Sequence, residues 1–473
     1  MKYRSIHFVG IGGSGMSPLA KIMLESGCRI SGSDMKYSDK IKKLAASGAE
    51  VFVGHDAGNL PPDLDLVVVS SAVNHDNPEI LEAKSRDIPI LTRAQFLGDL
   101  MKDYTTVGVS GAHGKTTTTA MIGLIFYENG LDPTIAIGGE LPVLGGSGRL
   151  GKGRYFIAEA DEAYGSFLQF YPAIAVVTNI DDDHLDYYGN LNSIINAFRE
   201  YLDHLPANGL AVLCADNPHI RKIIPDMSKR IITYSLNEQA DYQAVNIELK
   251  NFGSRFDVCS HGQNIGTLEL NIPGLHNISN ALAAAVVSLE AGLSMPCITK
   301  SLFHYRGAHR RFEKIGEAEG VTIIDDYAHH PTEIKATLEA ARKGWPGRVI
   351  SVFQPQRYTR TKFLRYEFAR SFSTADLIIL TDIYFQGTGE TPLPGISGEI
   401  LAKEVESYEK RPVYFRSELT DVLLFLEQIV KPGDLVVTMG AGNIYTVAYQ
   451  LYQNLCRKKD VHPGSVKIVG LDH

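Results

Sequence analysis

The sequence predicts an α/β protein in which helices cover parallel sheets and the chain divides into three domains. Short apolar runs alternate with helix-like periodic segments through most of the chain, as in strand–helix–strand units. Two glycine-rich stretches, GIGGSG and GAHGKT, each stand between such a run and a helix-like segment. The length of 473 residues also corresponds to about three domains.

The first domain is predicted to span residues 1–95. Apolar residues recur at helical spacing at 16–26 and 38–47, which predicts helices there. The apolar runs around them predict strands at 4–9, 28–33, 50–54, 65–70 and 88–91. The chain is therefore expected to open with a strand, a glycine-rich turn and a helix.

The second domain is predicted to span residues 96–305. Helices are expected at 117–127 and near 276–291, whereas the short alternating stretches of 241–273 predict antiparallel hairpins. Parallel strands are predicted at 106–109, 155–161, 173–180 and 210–216. The third domain, 306–473, has strand-like runs at 321–326, 348–355, 376–382 and 434–442.

Composition and charge exclude several kinds of partner. The net charge is −8 and no basic tract occurs, which argues against nucleic acid. No apolar run approaches the ~18 residues of a membrane span. The five cysteines are far apart and form no CxxC pair, so we expect reduced thiols rather than disulfides or a zinc site. These features predict a cytoplasmic protein.

The stretch TVGVSGAHGKTTTT predicts a phosphate-binding loop although its spacing is unusual. The usual motif has a glycine five residues before Gly114, and Val109 stands there. Gly111 and Gly114 can still turn the backbone. Lys115 can reach the outer phosphates and Thr116 offers a hydroxyl to Mg2+. Since a strand precedes the loop and a helix follows it, we expect ATP or GTP to bind there; a glycine turn with a chance Gly-Lys-Thr is the alternative.

The first glycine-rich stretch is compatible with two ligands. GIGGSG follows a strand and opens a helix, and Asp34 ends the next strand, as in NAD-binding domains. The physical requirement is only a pyrophosphate at a helix N-terminus, so a UDP-sugar fits equally well. Because a dehydrogenase has no need of the second phosphate loop, we favour a nucleotide-linked substrate here and ATP in the middle domain.

Acidic residues follow two strands of the central domain. EADE, which contains Glu159, ends one strand, and NIDDDHLD, which contains His184, ends another. Clustered carboxylates repel each other unless cations are present, so these residues indicate a metal site, with a solvated acidic loop as the alternative. Mg2+ prefers oxygen ligands, whereas His184 suits zinc or manganese better, so the residues alone leave the metal open.

Further polar residues indicate nucleotide and carboxylate binding. His276 and Asn280 share one helix face, where they either contact adenine or cap the helix. Arg357 and Arg360 follow a strand, and arginine binds carboxylate or phosphate through a planar fork. DDYAHHP follows another strand, where His329 is either functional or a satisfied core residue.

These motifs together resemble the Mur ligase family of peptidoglycan synthesis. GIGGSGM, GAHGKTTTT, EADE, TNIDDDHLDYYG, HNISNALAA, DDYAHHPTEIKA and QPQRYTRT occur in the family's order and cover essentially the whole chain. The resemblance implies an N-terminal Rossmann-like domain for UDP-N-acetylmuramate, a central P-loop ATPase with a small antiparallel sheet, and a C-terminal Rossmann-like domain on the amino-acid side. It also implies an ADP-forming ligase that acts through an acyl phosphate.

The resemblance also implies residue roles. The implied catalytic residues are Lys115, His184, Arg310, His329, Arg357 and Arg360. The implied ATP-binding residues are Gly111, His113, Gly114, Lys115, Thr116, Thr117, His276, Asn280, Arg310, Asp325 and Asp326. The implied residues for UDP-N-acetylmuramate and the amino acid are Gly12, Gly13, Ser14, Gly15, Asp34, Ser70, Ser71, Tyr327, His329, Arg357 and Arg360. The implied Mg2+ ligands are Thr116, Glu159 and His184.

Within the family, the sequence favours the member that adds L-alanine. Arg199 stands at about the spacing where ligases of later steps carry a carbamylated lysine. Tyr164 and Gln356 depart from the family pattern and bear on the amino-acid pocket rather than on ATP chemistry, and Pro18 and Asn443 also depart from it. A ligase that attaches a preformed tripeptide, or a non-catalytic nucleotide-binding regulator, stays open. We expect a monomer or a homodimer.

Overall fold

The computed structural model describes residues 2–141, 143, 145–250, 252–386 and 389–461. Within these ranges the strands form three sheets. The chain divides into two compact units, which are described separately below. The first comprises Met1–Leu249 with Gly253–His309, and the second comprises Lys250–Phe252 with Arg310–His473.

The first sheet lies in the first unit and is entirely parallel. Its strands are β1 Ser5–Val9, β2 Arg29–Asp34, β3 Glu50–Val53, β4 Leu66–Val69 and β5 Ile90–Thr92. The helices are α1 Met16–Glu25, α2 Asp39–Ala46, α3 Pro78–Ser85 and α4 Arg93–Met101, with a 3-10 turn at Ala57–Asn59. The strand order is β3-β2-β1-β4-β5. The order reverses at β1, and open α/β sheets bind ligands at such a position.

The second sheet also lies in the first unit, and its strands are β6 Thr105–Ser110, β7 Thr134–Leu141, β8 Gly146–Arg149, β9 Tyr155–Glu159, β10 Ile174–Val177, β11 Leu210–Cys214, β12 Arg230–Ser235, β13 Tyr242–Lys250, β14 Gly253–Ser260 and β15 Gln263–Leu270. Its helices are α5 Lys115–Glu128, α6 Leu185–Tyr188, α7 Leu191–Asp203, α8 Pro218–Ile223, α9 Leu275–Glu290 and α10 Met295–His304, with 3-10 segments at Ala163–Gln169 and Ile224–Asp226. The strand order is β15-β14-β13-β12-β11-β10-β6-β9-β7-β8. The central strand β6 pairs in parallel with both β9 and β10, so the three strands end at one edge of the sheet.

The third sheet lies in the second unit, and its strands are β16 Glu313–Ala318, β17 Val321–Asp326, β18 Val349–Phe353, β19 Leu377–Leu380, β20 Val413–Phe415 and β21 Leu435–Met439. Its helices are α11 Pro331–Gly344, α12 Tyr358–Phe363, α13 Arg365–Ala369, α14 Gly398–Glu409, α15 Leu419–Ile429 and α16 Tyr445–Val461. The strand order is β16-β17-β21-β18-β19-β20, and β16 runs antiparallel to β17.

The predicted fold class is confirmed, since the three sheets give the expected α/β organisation in three domains. The boundaries at 95 and 305 stay predictions, and the two compact units divide after His309. Within 241–273, β14 and β15 pair antiparallel as expected. The helix after the phosphate loop begins at Lys115 rather than at residue 117, because Gly114 already caps it. None of the helices in the described ranges is long and apolar enough to cross a membrane.

A buried carboxylate connects the strands of the first sheet. The Glu79 side chain is fully buried and accepts hydrogen bonds from Ser33 Oγ at 2.5 Å and Asn59 Nδ2 at 2.7 Å. The ring nitrogens His55 Nδ1 and His7 Nε2 lie 3.1 and 3.8 Å from Glu79 Oε2. Burial raises the pKa of the Glu79 carboxyl, but the interactions with His7, Ser33 and Asn59 outweigh it and lower the pKa to about 2.

Replacing Glu79 with Gln should destabilise the protein in a pH-dependent way. The folded pKa of about 2 lies below the ordinary value of 4.5, so the ionised group contributes stability above pH 4.5 that is lost as the pH falls toward 2. We expect Glu79→Gln to lower the free energy of unfolding by about 2 kcal/mol at pH 7, because hydrogen bonds to a charged acceptor are lost. Urea unfolding should show this difference narrowing below pH 4.5.

The exposed Glu82 on the same helix provides the control, since Glu82→Gln should leave stability within about 0.5 kcal/mol. A Glu79→Gln protein as stable as the unmodified chain at pH 7 would contradict the proposed contribution of the charged group.

Candidate active site

The loop between β6 and α5 requires glycine at two positions. Gly111 has φ +132°, and a Cβ there would lie 2.1 Å from Thr178 Oγ1. Gly114 has φ +85°, and a Cβ there would lie 2.5 Å from Asn280 Oδ1. Val109, where the usual motif has its first glycine, is instead buried inside β6. The turn therefore starts two residues later than in the usual motif, which explains the unusual spacing.

The helix that follows is fixed within the domain. Residues Thr116 to Phe126 of α5 are all buried, and α5 packs against α9. The first N–H groups of a helix have no partner inside it and carry a partial positive charge, so they favour an anion. Gly114 provides no side-chain cap that would compete for these groups. The arrangement is that of a phosphate-binding loop.

The Lys115 ammonium is surrounded by carbonyl and carboxylate oxygens. Lys115 Nζ donates to Gly111 O at 2.6 Å and to both carboxylate oxygens of Glu162 at 2.8 Å. Burial alone lowers the pKa of Lys115, but the negative charges of Glu162, Asp161 and Glu159 raise it to about 12. Lys115 is therefore charged at neutral pH and available for a phosphate.

His184 lies beside two of these acids. A ligand atom from each of Asp161, Glu162 and His184 lies within 4.8 Å of the others, and His184 Nε2 is 4.0 Å from Glu162 Oε1. His184 Nδ1 is buried and has no hydrogen-bond partner among the described residues. Burial raises the pKa of Glu162, an effect that Lys115 opposes. A donor set of carboxylates with one imidazole nitrogen fits a divalent cation.

The other two predicted magnesium ligands contact β7. Glu159 Oε1 accepts from Gly138 N at 2.6 Å, and the Thr116 methyl group lies against Gly139. The structure thus groups His184 with Asp161 and Glu162, and Glu159 with the β7 backbone. The sequence interpretation did not include Asp161 or Glu162 as ligands, although both belong to the EADE motif on which it relied.

A cavity of about 300 Å3 connects the first glycine-rich loop to these acids. Its lining includes Gly13, Ser14, Gly15, Ser70, Ser71, Arg93, Glu159 and Asp161. The Arg93 guanidinium lies against Gly15, with Nη2 3.7 Å from Asp161 Oδ2. The structure therefore brings predicted substrate residues of the first glycine-rich loop together with Glu159, and it adds Arg93, which no sequence motif indicated.

Two other predicted substrate residues stabilise the first loop. Gly12 N donates to Asp34 Oδ2 at 3.0 Å, while Asp34 Oδ1 accepts from Lys36 N at 3.3 Å. Neither Gly12 nor Asp34 is among the residues that line the cavity. Their described contacts hold the loop against β2.

The predicted adenine residues lie at the start of α9. Asn280 is buried, accepts from Thr118 Oγ1 at 3.2 Å and lies against Gly114. Its Nδ2 donates to Asn277 Oδ1 at 3.4 Å, and the sequence interpretation did not include Asn277. His276 is partly exposed in the first turn. The described contacts of Asn280 support the phosphate loop, and adenine contact stays a prediction for both residues.

Two more predicted nucleotide residues belong to the loop region. His113 Nε2 lies 3.1 Å from Asp181 Oδ2, so the histidine ring is directed toward the end of β10. Thr117 is buried in the first turn of α5.

In the second unit, Arg310 is held by three sets of bonds. Its Nε donates to Asp325 Oδ2 at 2.8 Å, Nη1 to Gly442 O at 3.1 Å and Nη2 to Gly440 O at 2.5 Å. Asp325 Oδ1 also accepts from Thr438 Oγ1 at 2.6 Å. Burial raises the pKa of Asp325, an effect that Arg310 opposes. The Arg310–Asp325 pair is thus a buried, oriented ion pair.

Asp326 forms hydrogen bonds inside the same domain. It accepts from Phe312 N at 3.0 Å, Ala328 N at 2.8 Å and Thr337 Oγ1 at 3.2 Å. Burial raises its pKa to about 6. These contacts shape the turn that follows β17, and a contact with ribose stays a prediction.

Tyr327 and His329 lie together in that turn. Their rings meet edge to face at 5.3 Å, and His329 Nδ1 is 2.9 Å from Tyr327 O. The Arg310 guanidinium lies 5.1 Å from the centre of the Tyr327 ring. The aromatic turn and the Arg310–Asp325 pair therefore form one group.

Arg357 and Arg360 form a second group. Arg357 Nε donates to Glu390 Oε1 at 2.8 Å, and Arg360 Nη1 donates to Gln356 Oε1 at 3.2 Å. Arg357 has φ +69°, an uncommon conformation for a residue other than glycine. Strained backbone of this kind occurs often at functional sites, which agrees with the predicted importance of Arg357.

Comparison with known protein families covers all three domains. The model described as "Mur ligase family, catalytic domain" matches residues 5–105, "Mur ligase middle domain" matches 109–288, and "Mur ligase, glutamate ligase domain" matches 310–442. The phosphate loop and the metal-binding candidates all lie within the middle-domain match.

Similar proteins agree with these matches. The UDP-N-acetylmuramate–L-alanine ligase of Desulforamulus reducens is 47% identical over 97% of this chain and 99% of its own length. The enzyme of the same name from Pelotomaculum thermopropionicum is 46% identical over 96% and 98%.

Solved structures give the same result. UDP-N-acetylmuramate–alanine ligase of Thermotoga maritima has a TM-score of 0.83 at 28% identity and covers 96% of this chain and 99% of its own. A murein peptide ligase of Psychrobacter arcticus has a TM-score of 0.71 at 25% identity, with 96% and 98% covered. Since the family models match in order along nearly the whole sequence and the relatives align from end to end, the chain belongs to the Mur ligase family.

Proposed function

We propose that this chain is an ATP-dependent ligase that joins L-alanine to the lactyl carboxylate of UDP-N-acetylmuramate and releases ADP and phosphate. The observation that carries this proposal is the similarity to relatives named for this activity, which are 44–47% identical over 95–97% of the chain. The phosphate loop with its charged Lys115 supports the use of ATP.

The chemistry explains why ATP is needed. A carboxylate is a poor acyl donor because it would have to expel an oxide. Transfer of the γ-phosphoryl group to the carboxylate creates an acyl phosphate, and the amine of L-alanine then attacks its carbonyl carbon and expels phosphate. The first step brings two anions together, so positive charge at the loop is essential. Lys115 supplies that charge.

Magnesium belongs to this proposal. We assign it to the carboxylates that follow β9, above all Glu159, together with the Thr116 hydroxyl and His184. The oxygen donors suit Mg2+, and the buried Nδ1 of His184 is a further nitrogen donor. When bound, Mg2+ would neutralise phosphate charge during the transfer.

The cavity beside the first glycine-rich loop is the proposed site for UDP-N-acetylmuramate. This substrate carries a diphosphate and a carboxylate, and an arginine fork binds either group. Among the residues that line the cavity, Arg93 carries the positive charge, whereas Glu159 and Asp161 carry negative charge. We therefore assign Arg93 to the anionic part of the sugar nucleotide.

The C-terminal groups are the proposed amino-acid and nucleotide elements of the second unit. Arg357 and Arg360 suit the carboxylate of L-alanine, with Tyr327 and His329 as further contacts. Arg310, held by Asp325, suits a phosphate. These assignments depend on the contacts within the unit and on the resemblance to the family.

The first prediction concerns the amine. Purified protein with ATP, MgCl2 and UDP-N-acetylmuramate should release phosphate when L-alanine is added, and less with glycine or L-serine. A phosphate assay with these amines and with the L-Ala–D-Glu–diaminopimelate tripeptide measures this choice. Release with the tripeptide alone would assign the chain to tripeptide ligation, and no release with any amine would favour a non-catalytic regulator.

Replacing Lys115 with Ala should lower turnover by about 10³-fold or more, because the charge that neutralises the transferred phosphoryl group is lost. The same phosphate assay measures the rate. Retained binding of UDP-N-acetylmuramate by calorimetry verifies the fold, and Lys403→Ala, a surface ion pair on α14, is the control. Near-normal turnover of folded Lys115→Ala would refute the assigned role.

Replacing Arg93 with Ala should raise KM for UDP-N-acetylmuramate at least about tenfold, since the positive charge that faces the substrate is removed. KM for ATP should change much less. Arg154→Ala is a matched control, because Arg154 contacts Tyr155 at the opposite end of β9. An unchanged KM for the sugar nucleotide in Arg93→Ala would contradict the assignment.

A further inference from the structure

The backbone of the phosphate loop is held by Thr178 and Asn179, two residues that the sequence interpretation did not single out. They follow β10 directly and precede the acidic stretch that contains His184. We call Thr178 and Asn179 the anchoring pair.

Asn179 forms a reciprocal pair of hydrogen bonds with one loop residue. His113 N donates to Asn179 Oδ1 at 2.9 Å, and Asn179 Nδ2 donates to His113 O at 2.9 Å. The side-chain amide thus occupies the place of a peptide group on a neighbouring strand. Ala112 N also donates to the main-chain oxygen of Asn179 at 3.3 Å. Both the donor and the acceptor of His113 are therefore used.

Thr178 adds a second contact to the same carbonyl. Its Oγ1 lies 2.6 Å from His113 O and donates to it. Thr178 is buried, and a Cβ on Gly111 would collide with this hydroxyl. The hydroxyl and the glycine are therefore matched to each other, and neither can change in size without moving the loop.

Sheet topology explains why these residues meet. β6 and β10 are neighbouring parallel strands, with Ser110 opposite Val177. Thr178 N continues the pairing by donating to Ser110 O at 3.0 Å. Beyond that point the loop leaves the sheet, and the anchoring pair replaces the main-chain partners that a longer strand would provide.

We propose that Asn179, assisted by Thr178, is a positioning residue for nucleotide binding. Phosphate binding requires the loop N–H groups to point inward before the ligand arrives. By fixing both sides of the His113 peptide, Asn179 sets the orientation of the residues just before Gly114 and Lys115. This inference rests on the proposed use of ATP and concerns how the loop is preorganised for it.

The test measures nucleotide binding rather than turnover. We expect Asn179→Ala to raise the Kd of the non-hydrolysable analogue AMP-PNP, with MgCl2, about tenfold, because two hydrogen bonds to the loop are removed. The Kd of UDP-N-acetylmuramate should stay within about twofold, since Asn179 holds the phosphate loop and not the first glycine-rich loop. Calorimetry provides both constants.

Thr178 supplies variants of similar size in case Asn179→Ala folds poorly. Thr178→Val removes the hydroxyl and should weaken AMP-PNP binding several-fold, whereas Thr178→Ser retains the hydroxyl and should bind as the unmodified chain does. Asn129→Ala is the matched control for the asparagine. It also removes two side-chain hydrogen bonds, to Ile125 O and Ser301 Oγ, but at the far end of α5.

Two results would overturn the inference. One is AMP-PNP binding by Asn179→Ala and Thr178→Val that equals that of the unmodified chain. The other is an equal loss of binding in Asn129→Ala, which would indicate general destabilisation. Because the assay needs no turnover, an unmodified chain that binds AMP-PNP but forms no product would refute the proposed reaction alone.

Discussion

The buried Lys115 ammonium is the constraint around which the central domain is organised. A charge removed from water is costly unless oxygen atoms surround it, and Glu162 with the Gly111 carbonyl meets this need. That requirement places an acid from the end of β9 beside the loop that follows β6. The same acid lies beside His184, so the lysine and the metal-binding candidates depend on one another. Phosphate chemistry uses this concentrated charge.

Strand order explains why the charges meet. β9 and β10 lie on either side of β6, and all three are parallel, so EADE, TNIDDDH and the phosphate loop leave the sheet at one edge. The cavity beside the first glycine-rich loop reaches the same acids through Glu159 and Asp161. A substrate carboxylate held there would therefore lie near groups suited to bind phosphate. Parallel topology thus converts separate sequence motifs into one site.

The sequence predicted the elements better than the partners. Apolar runs and glycine turns identified the strands and both loops, because these patterns follow from local geometry. Arg93 was missed because its role arises from contact with Gly15 and Asp161, which are far away in sequence. Asn280 was assigned to adenine, yet its described contacts are with Thr118 and the loop. Such pairings depend on packing that no local pattern contains.

The phosphate loop explains why its sequence motif did not match the usual spacing. A glycine is needed where φ is positive or where a neighbour leaves no room for a Cβ. At residue 109 neither condition holds, since the chain is still in β6, and valine is accommodated in the core. At Gly111 both conditions hold because Thr178 approaches. The neighbouring strand therefore determines the position of the glycine, and the loop and the anchoring pair have to be considered as one unit.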